Sequence, residues 1–164
     1  MRPTLRIILS HFNARIYFFF TIIVLSFNSV SGQIVVDNTA TRSVKESKNL
    51  TVNHTVSSGL SNCVVVVSLL INSPIETIST LTYGGLNLTF VESSQQGSTT
   101  IAVYTLINPT AGTNALSINT NSTTDITLTA TSFGNVNQSN IFSSIQKDNR
   151  SSSNISKTIN CDEN

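Results

Sequence analysis

From Leu50 to Phe133 apolar and polar residues alternate with a period of two, and no stretch carries the 3.6-residue period or the caps of a helix. Leu50 to Val56 reads LTVNHTV: Leu50 and Val52 point one way, with His54 and Val56 continuing that face, and Thr51, Asn53 and Thr55 point the other. Cys63 to Ile71 (CVVVVSLLI) is the most apolar segment outside the first 32 residues. A run of four valines disfavours a helix and predicts a central strand covered on both faces. Asn72-Ser73-Pro74 ends it, because proline cannot donate to a sheet ladder. Glu76 to Tyr83 predicts a further strand, Gly84-Gly85 a hairpin turn, and Leu86, Leu88 and Phe90 a return strand with one apolar face. Ile101, Val103, Thr105 and Ile107 alternate with Ala102, Tyr104 and Leu106, so both faces are apolar and the strand is expected to be internal. After the loop Asn108 to Asn114, punctuated by Pro109 and Gly112, a short strand is expected at Leu116 and Ile118. Another follows at Ile126 to Phe133, with Thr127, Thr129 and Thr131 outward, and Gly134 ends it. About seven short strands with turns between them predict an all-β fold, an antiparallel β-sandwich of immunoglobulin-like or jelly-roll-like type.

The two ends read differently. Residues 1–32 hold Arg2, Arg6 and Arg15 and no acid, then the apolar run Ile16 to Phe27, then small residues. This is the plan of a signal peptide cleaved near Gly32–Gln33, and hence of a secreted, extracellular protein. The other reading is an uncleaved signal anchor; otherwise no membrane span is expected, since no later segment is apolar for long enough. Residues 33–48 read as a polar N-terminal segment, either a linker or a loose first strand. Residues 49–146 read as the β-sandwich domain, and 147–164 as a disordered Ser/Asn-rich tail.

Charge narrows the function classes. Only 10% of residues are charged, and no Lys or Arg occurs between Lys48 and Lys147. Without the leader arginines, six Lys/Arg face eight Asp/Glu. A surface that neutralises phosphates needs clustered cations, so neither nucleic acid nor an anionic bilayer is an expected partner.

Candidate chemistry is sparse. His54 is the only histidine outside the leader and reads as a partly exposed strand residue. With no second histidine and no G-x-S-x-G elbow, a catalytic triad is not expected. The acids are scattered, so no metal site and no cofactor is expected. Glu76 and Glu92 flank the Gly84-Gly85 turn symmetrically and could meet across a hairpin, the minimum arrangement for glycoside hydrolysis, but such acids read more simply as solvated. Tyr83 and Tyr104 could be stacking platforms for sugars, or half-buried residues with wet hydroxyls. The outward threonines could form a hydroxyl face, or be ordinary exposed strand positions. Seven N-x-Ser/Thr sequons occur, at Asn49, Asn53, Asn87, Asn121, Asn137, Asn149 and Asn154; in a eukaryotic host they are candidate glycosylation sites. Cys63 and Cys161 could form a disulfide in an oxidising compartment, or Cys63 could be a buried thiol at the head of a strand.

Three stretches carry a resemblance: LTVNHTVSSGLSNCVVVVSL, ISTLTYGGLNLTF, and YTLINPTAGTNALSI followed by SFGNVNQS. In their order they resemble a family of mostly uncharacterised extracellular β-sandwich domains of secreted and surface proteins. The matching positions are Thr82–Gly85, Leu106, Asn108–Pro109, Ala111–Thr113 and Phe133 to Gln138, within about residues 48–140. The resemblance implies a sandwich whose last strands are missing at the C-terminus, and it implies no active site. The expected function is non-catalytic: extracellular binding, adhesion or surface structure, with a protein or glycan as partner. The alternatives are a carbohydrate-binding accessory module of a degradative enzyme, which the absence of Trp disfavours, and a truncated fragment without independent function.

Overall fold

The computed structural model describes residues 33–142. The leader 1–32, with its signal-peptide and anchor readings, lies outside the described residues. So does the tail 147–164, with Asn149, Asn154 and Cys161.

The described chain is nearly all strand: β1 (Val35–Val56), β2 (Val64–Ile71), β3 (Ile78–Tyr83), β4 (Leu86–Asn87), β5 (Thr89–Gln96), β6 (Thr99–Ile107) and β7 (Gly112–Gly134). One 3-10 turn spans Ile75–Thr77. Every strand pair is antiparallel. The sheet runs β4-β3-β7-β2-β6-β5, and β1 pairs with β7.

β1 and β7 organise this order. They are 22 and 23 residues long and pair along nearly their whole length, from Val35↔Gly134 to Val56↔Gly112. β7 divides its other edge between β3, which meets Leu116 to Thr120, and β2, which meets Ile126 to Phe133. Between these contacts the ribbon bends, and the β1–β7 register slips at Val44/Ser47 and Ser47/Asn49. Glu46 takes a left-handed φ of 47° there, unusual for a residue with a Cβ. Its N–H donates to Asp125 Oδ1 at 2.9 Å, and Thr120 Oγ1 lies between the Ser122 carbonyl at 2.8 Å and the Lys48 carbonyl at 3.1 Å.

The bend brings two halves face to face. The larger is the first part of β1 with the second part of β7, then β2, β6 and β5. The smaller is the rest of the ribbon with β3 and β4. Leu50, Val52, Leu81, Tyr83, Leu116 and Ile118 from the smaller half join Val65, Val67, Leu69, Ile71, Ile126 and Leu128 from the larger in one core. The result is a continuous, barrel-like antiparallel sheet. Where the two parts of β1 adjoin, side chains bond its backbone: Arg42 Nη1 donates to the Thr51 carbonyl at 2.9 Å, and Ser57 N–H donates to Asp37 Oδ2 at 3.0 Å. Bonds of this kind occupy an edge that would otherwise template another strand.

Several expectations change. The strands expected at Leu116–Ile118 and Ile126–Phe133 are one, because Thr113 to Phe133 contains no glycine or proline to interrupt it. From Leu116 to Gly134 the even-numbered residues face inward on both sides of the bend. The polar segment 33–48 is strand from Val35 onward, mostly exposed, with Ala40 and Val44 half-buried against the core. β2 is central, between β6 and β7, but its outer face is open: Ser68 and Leu70 are exposed. The turn at Gly84-Gly85 holds as expected, with φ of +58° and +81°, but the hairpin it closes has only two rungs. Past Leu88 the chain crosses to the larger half as β5 and pairs with β6.

Leu69 and Leu128 are fully buried and directly opposed across β2 and β7. Leu69→Ala and Leu128→Ala should each cost about 2–5 kcal/mol of unfolding free energy in urea titrations. The double variant should cost less than the sum, because both deletions open one cavity.

Candidate functional site

The most polar part of the interior lies where the first residues of β1 cross its last. His54 is in phase with Leu50, Val52 and Val56, so the alternation that buries those residues buries the imidazole too, leaving it 2% exposed. A buried ring needs partners on both nitrogens. Nδ1 lies 2.8 Å from the Tyr83 hydroxyl and Nε2 lies 3.2 Å from the Asn38 carbonyl. The carbonyl can only accept, which places the proton on Nε2 and leaves Nδ1 to accept from Tyr83. Ser132, fully buried on β7, donates its hydroxyl to Asp37 Oδ2 at 2.8 Å and accepts from the Asn38 N–H at 3.2 Å. Its Oγ is also 3.5 Å from His54 Nε2.

The cluster therefore contains a serine, a histidine and an aspartate, but not in the order that activates a nucleophile. In a triad the histidine takes the serine proton while the carboxylate orients its other nitrogen. Here the serine proton goes to the carboxylate, and the other nitrogen of the imidazole meets a phenol. Ser132 is 0% exposed, so no substrate reaches it. What the arrangement does is tie the two halves together: His54 and Tyr83 belong to the smaller, Asn38 and Ser132 to the larger.

Burial works to raise the Asp37 carboxyl, but hydrogen bonds from the Ser57 hydroxyl and N–H and from Ser132 outweigh it and hold the group below its usual value of 3.8. Burial pushes the Tyr83 phenol and the Cys63 thiol up. Cys63 is buried just before β2; its candidate partner Cys161 lies outside the described residues.

The other candidates separate. His54 is not the partly exposed strand residue expected; Tyr83 and Asn38 satisfy it inside the fold. Tyr83 is 1% exposed and cannot be a sugar platform. Tyr104 is buried and stacks edge-on against Phe90 at 5.4 Å between centroids. Glu76 sits in the 3-10 turn, whereas Glu92 is on β5 opposite Val103. Because β3 pairs with β4 and β7, and β5 with β6, no hairpin places these two acids opposite each other. Outward threonines pair across β1 and β7: Thr39 with Thr131 at 3.1 Å, Thr41 with Thr129 at 3.0 Å, and Ser43 with Thr127 at 2.9 Å. Among the described residues no group of three His, Cys, Asp or Glu could hold a metal ion. Asn49, Asn53, Asn87, Asn121 and Asn137 are all exposed.

A different feature was not legible. On the outer face of the larger half, Val64, Val66 and Phe133 floor an apolar cleft of about 200 Å³, walled by Ile34, Val136, Ile141 and Phe142. Ile107, the register partner of Val64, is 44% exposed, and at the other end of β2 Leu70 and Ile101 oppose each other in register, 42% and 54% exposed. The signal for this surface was the two-sided apolar character of β2 and β6. That character predicts cover on both faces, but at the Leu70–Ile101 end the outer face is exposed.

Comparison with protein-family models, with curated proteins and with solved structures returned no match.

Two outcomes are expected of the polar cluster. His54→Leu removes the hydrogen bonds to the Tyr83 hydroxyl and the Asn38 carbonyl and should cost about 1–3 kcal/mol of stability; a double-mutant cycle with Tyr83→Phe should show positive coupling. Because the folded value of Asp37 is depressed, its contribution is complete above its unfolded value and is lost as pH falls through the folded one. The urea midpoint should therefore drop as pH falls below about 4, and the drop should be shallower in Asp37→Asn.

Proposed function

We propose that this chain is a secreted, non-catalytic extracellular module of the β-sandwich type, immunoglobulin-like or jelly-roll-like, that binds a protein or glycan partner through the outer face of its larger half. The observation that carries the reading is the apolar side chains on this face: Leu70 opposite Ile101 at one end of β2, and Ile107 with the cleft over Val64, Val66 and Phe133 at the other. Apolar groups that a sheet leaves open in this way can serve as contact points for a partner. No Lys or Arg occurs on β2 to β7, so a partner on this face would be recognised by shape and apolar burial rather than by charge. The leader supports secretion. The turn motifs Thr82–Gly85, Asn108–Pro109 and Ala111–Thr113 support kinship with a family of mostly uncharacterised extracellular β-sandwich domains. The polar cluster supports the non-catalytic part of the reading, since its serine is closed to solvent and bonded to the carboxylate. The carbohydrate-module alternative would call for a row of exposed aromatics. Among the described residues the exposed ones are Phe90 and Phe142, on separate elements.

The purified protein, applied to immobilised extracellular-matrix proteins and to a glycan array, should bind at least one of them. Leu70→Thr combined with Ile101→Lys should weaken that binding at least tenfold while leaving the thermal midpoint within a few degrees of the parent, since both side chains are exposed. Binding that survives the double substitution, or binding to nothing on either surface, would overturn the reading.

A further inference from the structure

The two outer faces of the molecule differ in more than apolarity. Across the smaller half the outward positions form rows from β1 through β7 and β3 to β4: Asn49, Asn119 and Thr80; then Thr51, Ser117, Thr82 and Asn87; then Asn53 and Ala115; then Thr55 and Thr113. Apart from Ala115 every one of these is Asn, Ser or Thr, and none is charged. Three of them, Asn49, Asn53 and Asn87, head sequons of the N-x-Thr form. No sequon asparagine lies on the outer face of the larger half, where the exposed apolar side chains are; Asn121 is at the ribbon bend and Asn137 follows β7.

The side-chain amides separate these asparagines from others in the chain. Asn72, Asn114, Asn119 and Asn135, which head no sequon, spend their side chains on hydrogen bonds to Ser98, Thr110, Thr80 and Gln33. The amides of Asn49, Asn53 and Asn87 make no hydrogen bond among the described residues. They are exposed, and nothing in the fold would be lost by converting them. Asn49 and Asn53 lie four residues apart on one strand, about 13 Å, and Asn87 lies three strands away, about 14 Å. Each site has room for its own branched sugar.

We infer that the outer face of the smaller half is a glycan-bearing face with Asn49, Asn53 and Asn87 as acceptors, which leaves the apolar face of the larger half bare for contact. The inference rests on the secretory reading above. The donor is an oligosaccharide carried on a lipid pyrophosphate, supplied with its transferase by the compartment. The asparagine amide nitrogen bonds to the anomeric carbon and loses a proton. The bond from that carbon to the pyrophosphate oxygen breaks, and the lipid pyrophosphate leaves with the electron pair. No oxidant or reductant is involved.

The test is cell-free translation of the full chain with eukaryotic microsomes, followed by protease challenge, endoglycosidase digestion and peptide mass mapping. The protease-protected chain should carry sugars at Asn49, Asn53 and Asn87, and Asn49→Gln, Asn53→Gln and Asn87→Gln should each remove one glycan's worth of apparent mass. A protected chain lacking sugar at any of the three would overturn the glycan-bearing face. A chain left open to protease would overturn the secretory reading on which the face depends, and a fusion behind an independent signal peptide would then report on the three acceptors alone.

Discussion

The fold depends on one antiparallel ribbon being bent rather than broken. β1 and β7 stay paired from one half to the other, and the bend near Ser47 and Asn121 lets their two parts face each other. Without the bend, the inward residues of the ribbon would line one side of a flat two-stranded ladder, which cannot enclose a core. With it, Leu50 and Leu116 meet Leu69 and Leu128, and the other strands only need to widen each half. The polar residues at the bend serve this directly: Asp125 caps the strained Glu46 backbone, and Thr120 shares its hydroxyl proton between the Ser122 and Lys48 carbonyls.

The buried polar cluster follows from the same bend. Folding β1 onto itself brings its first residues over its last, so Asn38 and His54, sixteen positions apart, are hydrogen-bonded. An imidazole in that position is costly unless both nitrogens are satisfied, and Tyr83 and Asn38 satisfy them from opposite halves. The cluster therefore favours one docking of the two halves over others of equal apolar burial. Its chemistry is spent on that role, because every donor is already aimed at an acceptor inside the fold.

The two outer faces divide the surface by residue type. On the smaller half Asn, Ser and Thr cover the sheet, while on the larger half Leu70 and Ile101 are exposed at one end of β2 and Ile107 at the other, next to the cleft. Strand alternation explains the first. The second arises because β2 and β6 are apolar on both faces but receive cover on the outside only near Val64, from Val136, Ile141, Phe142 and Ile34.

By itself the sequence determined everything that depends on neighbours along the chain. Period-two alternation set the all-β class, the inward face of each strand and the Gly84-Gly85 turn, because side-chain direction and turn conformation are local properties. It even held the inward phase of His54, although a lone histidine in a strand suggested exposure. Only the tertiary structure decided which strands pair, since pairing depends on partners far apart in sequence. That is why the chain left its hairpin after two rungs and why Glu76 and Glu92 stayed on separate elements. The cluster of Asp37, His54, Tyr83 and Ser132 could not be read beforehand for the same reason. Its members are scattered from β1 to β7 and become neighbours only when the ribbon bends.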